Sequence, residues 1–224
     1  MDRETFWLIE RTLTRELGVD IVARAGDRRP PPHADMFALT LAEVILDSAK
    51  RARKSSQHVV RLRALLLASR SAREMYAHVP RAAAVDRIWH SRHVYLRLYR
   101  SAPDKRGYLA SLPWVGPKGA VLACRNFGLD YVVPNAKMSR LASNYNASHL
   151  IVCRLLAKET RYSTGGVDLI LQGAIDAGIL NPETGSVTIP SSRNTYINQM
   201  AYADQRMRID ADPLRLKNDE FILL

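Results

Sequence analysis

Residues 112–142 read LPWVGPKGAVLACRNFGLDYVVPNAKMSRLA, and their punctuation governs the reading of the whole chain. Pro113 disfavours helical backbone at Leu112 and so closes a preceding helix. Gly116 tolerates positive φ and lets the backbone come close to a ligand. Pro117 presets the φ of a new helix at its first position, and Lys118 follows in the first turn. A short extended run and another helical pattern come next. A helix start with free N–H groups, a close-approach glycine and a lysine suits a phosphate. The plainer reading of 112–120 is a Gly/Pro connection between two helices.

Outward from this stretch the periodicity is helical. Phe6, Ile9, Leu13 and Leu17 share one face of a helix over 5–17, which Gly18 ends. Residues 24–35, RAGDRRPPPHAD, read as a Pro-rich charged loop. A second helix is expected from about Phe37 to Lys54, its basic end Lys50, Arg51, Arg53 and Lys54 suiting the dipole or a phosphate. A third spans 57–68, with Arg61, Arg63 and Arg70 facing outward or toward DNA. Residues 71–78 and 81–100 give two more, and 136–145 and 147–160 follow the hairpin. Gly165-Gly166 precede VDLILQGAIDAGIL, whose Val167, Ile170, Leu171 and Ile175 share a face. Residues 181–190 read as a turn with a short arm. Period-2 alternation is almost absent, so the fold class is all-α.

The chain has 224 residues, 47% of them hydrophobic, enough for one large or two small domains with a real core. A net charge of +11 favours a polyanion partner, nucleic acid first and an anionic membrane second. The plainer alternative is a solvated basic surface. No apolar run reaches 18 residues, so no transmembrane span is expected. The charged start MDRETFWLIERT is unlike a signal peptide, and the expected compartment is the cytoplasm. Cys124 and Cys153, the only cysteines, sit in apolar helical patterns and read as buried small hydrophobes. Two cysteines cannot furnish a four-cysteine iron–sulfur cluster. His90 and His93 lack a third ligand in register, so no metal is expected, and no nucleotide-binding glycine loop is present.

The 112–142 stretch resembles the helix-hairpin-helix and following loop of the DNA glycosylase superfamily, the endonuclease III and 8-oxoguanine glycosylase clan. The family pattern is roughly L-P-G-V-G-x-K-T-A, then after about twenty residues V-D-x-H-V-x-R. Leu112, Pro113, Val115, Gly116, Lys118 and Ala120 match its first half, and Val133, Met138 and Arg140 its second. The resemblance covers about residues 36–180 and is topological outside 112–142. It implies a two-lobed helix-hairpin-helix glycosylase-like domain over 1–190, with the hairpin at 100–130 and a short irregular extension at 191–224. Residues 36–60 look like the helix that begins the family's six-helix barrel, and 147–180 like the returning helices of the second half-domain. It further implies a phosphate clamp at Pro113, Trp114, Val115, Gly116, Pro117 and Lys118, with Arg125 and Arg140 as further DNA contacts.

Trp114 stands where the family has its first hairpin glycine. A bulky residue adopts positive φ with difficulty, so packing beneath the hairpin is favoured over stacking on an exposed base. Lys118 falls where bifunctional members carry a Schiff-base lysine. Asn135 falls where the family carries its catalytic aspartate, and it keeps that residue's shape without its charge. Charge stabilisation at such a site is worth several kcal/mol, so base excision is expected to be slow. Asp130 is expected to point elsewhere, and the place of Asp168 is open.

Three readings follow. The first is a base-modifying enzyme that leaves the glycosidic bond intact, similar to the phage α-glutamyl/putrescinyl thymine pyrophosphorylases. That resemblance implies transfer of an amino acid or polyamine onto activated 5-hydroxymethyluracil in DNA, with release of pyrophosphate, in a host cytoplasm. Lys118 would hold pyrophosphate with Arg125 or Arg140, Asn135 would bind the uracil or sugar edge, and His90, His93 or Glu43 would act as general base. An ordinary surface or packing role is the plainer reading of each histidine. The second is a glycosylase/lyase with Lys118 as nucleophile. The third is a DNA-binding protein without chemistry. No cofactor is expected under any of them.

Overall fold

The computed structural model of the chain describes residues 1–17, 20–26, 30–47 and 55–189. The described part is helical: α1 (Arg3–Leu17), α2 (Asp20–Gly26), α3 (Ala34–Asp47), α4 (Ser55–Leu67), α5 (Val79–His90), α6 (Arg92–Ser101), α7 (Lys105–Ala110), α8 (Gly116–Asn126), α9 (Ala136–Ser143), α10 (His149–Glu159) and α11 (Thr164–Asp176). The only β pairing among the described residues is one antiparallel bridge between Leu180 and Val187. The all-α class expected from the missing alternation therefore holds. No described helix is long and apolar enough to cross a membrane.

Helix starts follow side-chain chemistry. Asp104, Asn135, Ser148 and Ser163 cap α7, α9, α10 and α11, each accepting a backbone N–H in the first turn. Asp130 adds to the α11 start by accepting from Gly165 N at 2.9 Å and the Thr164 hydroxyl at 3.2 Å. Gly165 and Gly166 lie inside that first turn because neighbouring backbone comes too close for a side chain. A Cβ on Gly165 would meet Tyr131 O at 2.8 Å, and one on Gly166 would meet Ala25 O at 2.6 Å.

Three expectations need correction. The loop expected at 24–35 begins inside α2, which runs to Gly26, and α3 starts at Ala34. The helix expected over 71–78 is a single 3-10 turn, Ala72–Glu74. Asp86 takes the Ser71 hydroxyl at 2.6 Å and Ala72 N at 2.7 Å, which pins that segment by its start. The helix expected over 81–100 breaks at Ser91. Arg92 turns back there: it donates to Trp89 O at 2.9 Å, covers the Trp89 ring at 4.4 Å and pairs with Asp35 on α3. The basic end expected at 50–54 and the extension at 191–224 lie outside the described residues.

The hydrophobic core falls into two clusters. One draws on α3 to α8 alone, from Ala34 to Phe127, and is centred on Phe37, Tyr99 and Phe127. Phe37 stacks on Phe127 with ring centroids 5.2 Å apart. The other joins α1 and α2 to α9, α10 and α11, with Phe6, Ile9, Leu13, Met138, Leu141 and Leu171 in its interior. Cys124 lies in the first cluster and Cys153 in the second, both buried and free. The segment between Asn126 and Ala136 passes from one to the other: Leu129 and Tyr131 pack on the first and Val132 on the second.

Candidate nucleic-acid interface

The hairpin is held from its base upward. Lys105, at the start of α7, donates its ammonium to Tyr99 O, Arg100 O and Ala102 O at 2.7 to 2.8 Å, closing the end of α6. Leu112 and Val115 are each 6% exposed and anchor the turn in the first core. α8 lies close on α3, where a Cβ on Gly119 would sit 3.1 Å from a Val44 methyl. The backbone turns left-handed on both sides of Val115, with φ +63° at Trp114 and +59° at Gly116.

The packing role expected for Trp114 is not what the fold provides. Its side chain is half exposed, and it takes the very backbone region in which glycine would be at ease. His78 meets the indole edge-on with centroids 5.2 Å apart, and the Arg81 guanidinium lies 5.5 Å from the ring centroid. Both come from the start of α5, which His78 itself caps through Nδ1.

Residue 115, the N-cap of α8, supplies no side-chain acceptor, so the N–H groups that the first turn retains beside Pro117 have no side-chain cap. Lys118 stands in that first turn, exposed and without hydrogen bond or ion pair among the described residues. Helix dipole, open donors and a free ammonium together favour an anion here.

Asn135 is the N-cap of α9, at the end of the segment that passes from one core cluster to the other. Its Oδ1 accepts from Lys137 N at 2.9 Å and its carbonyl from Ser139 N at 2.9 Å. The amide nitrogen has no partner among the described residues. Arg140, further along α9, is exposed and paired with Glu183 at 2.8 Å.

Arg125 is placed differently from the phosphate contact expected of it. Its side chain is 9% exposed and donates to the buried Asp168 at 2.7 Å. Asp168 is fully buried and accepts from four donors. Arg125 Nη1 and Val133 N, at 2.7 and 3.1 Å, share one oxygen; His149 Nε2 and Gln172 Nε2, at 2.7 and 2.8 Å, share the other. This carboxylate ties α8 of the first core to α10, α11 and the crossing segment. Burial by itself would raise its pKa, but the His149 hydrogen bond, the Arg125 charge and the Val133 N–H outweigh it and hold it below the usual range. The sequence carried one signal of this hub, a lone acid in the apolar run VDLIL of α11.

Donor atoms of His149, Cys153 and Asp168 lie within 4.8 Å of one another, a possible ligand set by spacing. The lone pairs of Asp168 are already engaged and its charge is met by Arg125. Burial pushes the Cys153 thiol well up, reinforced by the Asp168 charge, which disfavours the thiolate a metal needs. The Cys124 thiol is pushed up to about 11 by burial.

The candidate bases lie on α5, α6 and α3. His90 is exposed, its Nδ1 2.7 Å from Asp86 O. His93 lines a cavity of about 730 Å³ with His33, Arg97 and Arg100. Glu43 is partly buried on α3. Asp130 is committed to the start of α11, away from Asn135. No protein-family model, curated protein or solved structure matches this chain, so the reading of the site stands on its own geometry.

Proposed function

We propose that the protein binds DNA through the turn between α7 and α8 and acts on a base drawn out of the strand. The observation that carries this reading is the uncapped start of α8 with a free, exposed Lys118 beside it, in a chain of net charge +11. Two core clusters joined by the segment between α8 and α9 support the two-lobed glycosylase-like arrangement that the resemblance implies. In such an arrangement the hairpin and the α9 cap flank the groove that receives a base.

Within that reading, transfer onto the base is favoured over its excision. Asn135 is neutral and its Oδ1 is engaged as a helix cap. It can neither carry the charge that stabilises a departing base nor act as a base itself. In the transfer, an amine nitrogen of an amino acid or polyamine bonds to the 5-methylene carbon of the activated uracil. The carbon–oxygen bond to pyrophosphate breaks, and the amine proton passes to a general base. Lys118, exposed and unpaired, would hold the leaving pyrophosphate. Arg125 is committed to Asp168, so it takes no part. The lyase reading has one feature in its favour, the unpaired Lys118 side chain, whose ammonium would have to lose a proton before its nitrogen attacks C1′.

The test is intact-mass analysis of oligonucleotides incubated with the protein and a mixture of amino acids and polyamines. The panel holds damaged bases, 5-hydroxymethyluracil and its pyrophosphorylated form. Replacement of pyrophosphate by an amine, seen as the matching mass change, supports transfer and identifies the donor. Loss of a base, with borohydride trapping that Lys118→Ala abolishes, replaces that reading with the lyase. DNA binding without any product leaves the clamp alone as the function.

A further inference from the structure

Among the described residues Trp114 is the only exposed Phe, Tyr or Trp side chain and the only bulky residue with positive φ. Neither property helps the chain fold. A glycine at φ +63° would avoid the clash of Cβ with the following carbonyl. An indole 50% exposed leaves much of its apolar area in water, while Leu112 and Val115 on either side do the burying.

The surroundings of the ring have one character. The Arg81 guanidinium lies 5.5 Å from its centroid, and His78 meets it edge-on at 5.2 Å. Four residues on, Lys118 stands free in the uncapped first turn of α8. The turn before α8 thus meets the start of α5 at an indole with the Arg81 guanidinium over its ring and the His78 imidazole at its edge, and the first turn of α8 follows along the chain.

We propose that Trp114 is a stacking platform for an unpaired DNA base, with an adjacent phosphate held by the start of α8 and Lys118. This rests on the DNA-binding reading above and narrows it to strands in which a base is free. A paired base has both faces covered by its neighbours, whereas a base at a bulge, a gap or a single-stranded segment offers one to the indole. Every base has a π-face, so such a contact is tolerant of sequence, and neighbouring arginine strengthens it.

The experiment uses the full chain and three DNAs of equal length carrying 2-aminopurine: single-stranded, duplex with the probe in a one-nucleotide bulge, and fully paired duplex. Affinity is read by anisotropy of an end label and stacking by quenching of the 2-aminopurine emission. The wild-type protein is expected to bind the first two roughly 10-fold more tightly than the third and to quench them. Trp114→Gly removes both the preference and the quenching. Trp114→Leu keeps the bulk and the strained backbone but lacks the π-face, and it loses the preference too. Lys118→Glu weakens all three DNAs together. Retained preference and quenching in both Trp114 variants, or equal binding of the three DNAs by the wild type, rejects the platform and leaves DNA binding standing. No binding of any of them at low salt rejects both.

Discussion

Replacing Asp168 with asparagine should unfold this protein well below its normal melting temperature. The substitution keeps the shape and removes the charge. Arg125 then remains ionised with a side chain 9% exposed, and its Nε already has no hydrogen-bond partner. Two of the four donors aimed at the carboxylate would also face an amide NH₂ that cannot accept from them. Leaving one member of a buried pair uncompensated costs about 3–5 kcal/mol. That is a large share of the roughly 5–15 kcal/mol that holds a domain folded. For a chain of this length it corresponds to a fall of about 6–20 °C in Tm, read by circular dichroism. Adding Arg125→Met removes the stranded charge and should restore more than half of the loss. A single variant within about 2 °C of wild type, far below that expected fall, would refute the reasoning. So would a double variant no more stable than the single one. Acid provides a further check. The Asp168 carboxyl is held below its ordinary value, so its contribution is present above the unfolded pKa, about 3.9, and is lost as pH falls through the lower folded value. The gap between wild type and Asp168→Asn should therefore be full near neutrality and close below about pH 4.

Asn135→Asp should leave stability within about 0.5 kcal/mol, because aspartate caps a helix as well as asparagine does; urea denaturation checks this. If the variant gains base excision on damaged oligonucleotides, the missing charge at this position is what restrains the wild type. Gly166→Ala should cost about 1–3 kcal/mol, since its Cβ meets backbone oxygen that cannot swing aside. Gly116→Ala has open space around the new Cβ and should cost about 1–2 kcal/mol from backbone alone; the same titration ranks the two.

Helices with an apolar stripe were legible in the sequence because their periodicity is regular. The repeats Phe6, Ile9, Leu13 and Val167, Ile170, Leu171 are interior in the structure, and Ser163 and Asn135 start helices as such residues do. Breaks set by distant partners were not legible. Ser91 carries no local breaker, and the turn there depends on Arg92 reaching Asp35, far away in sequence. The 3-10 turn at Ala72–Glu74 likewise depends on Asp86. At the site, the turn chemistry of Pro113, Gly116 and Pro117 placed the start of α8 correctly. Charge type alone misplaced Arg125, because a basic residue on an amphipathic helix reads as surface until its buried acid is known. Trp114 was misjudged for a related reason: steric preference argued against a conformation that the two anchors Leu112 and Val115 impose on the residues between them.

The division of the core has a consequence for how the chain is made. Every buried residue of the first cluster lies between residues 34 and 127, whereas the second needs both ends of the described chain, Phe6 and Ile9 from the start and Leu171 and Ile179 from near residue 180. During synthesis the inner cluster can complete while the outer one is still missing its later half. α1 and α2 must then wait, apolar faces uncovered, until α9 to α11 emerge. Contacts of such long sequence separation form late and slowly. The interval exposes the N-terminal helices to wrong partners, including those of another copy.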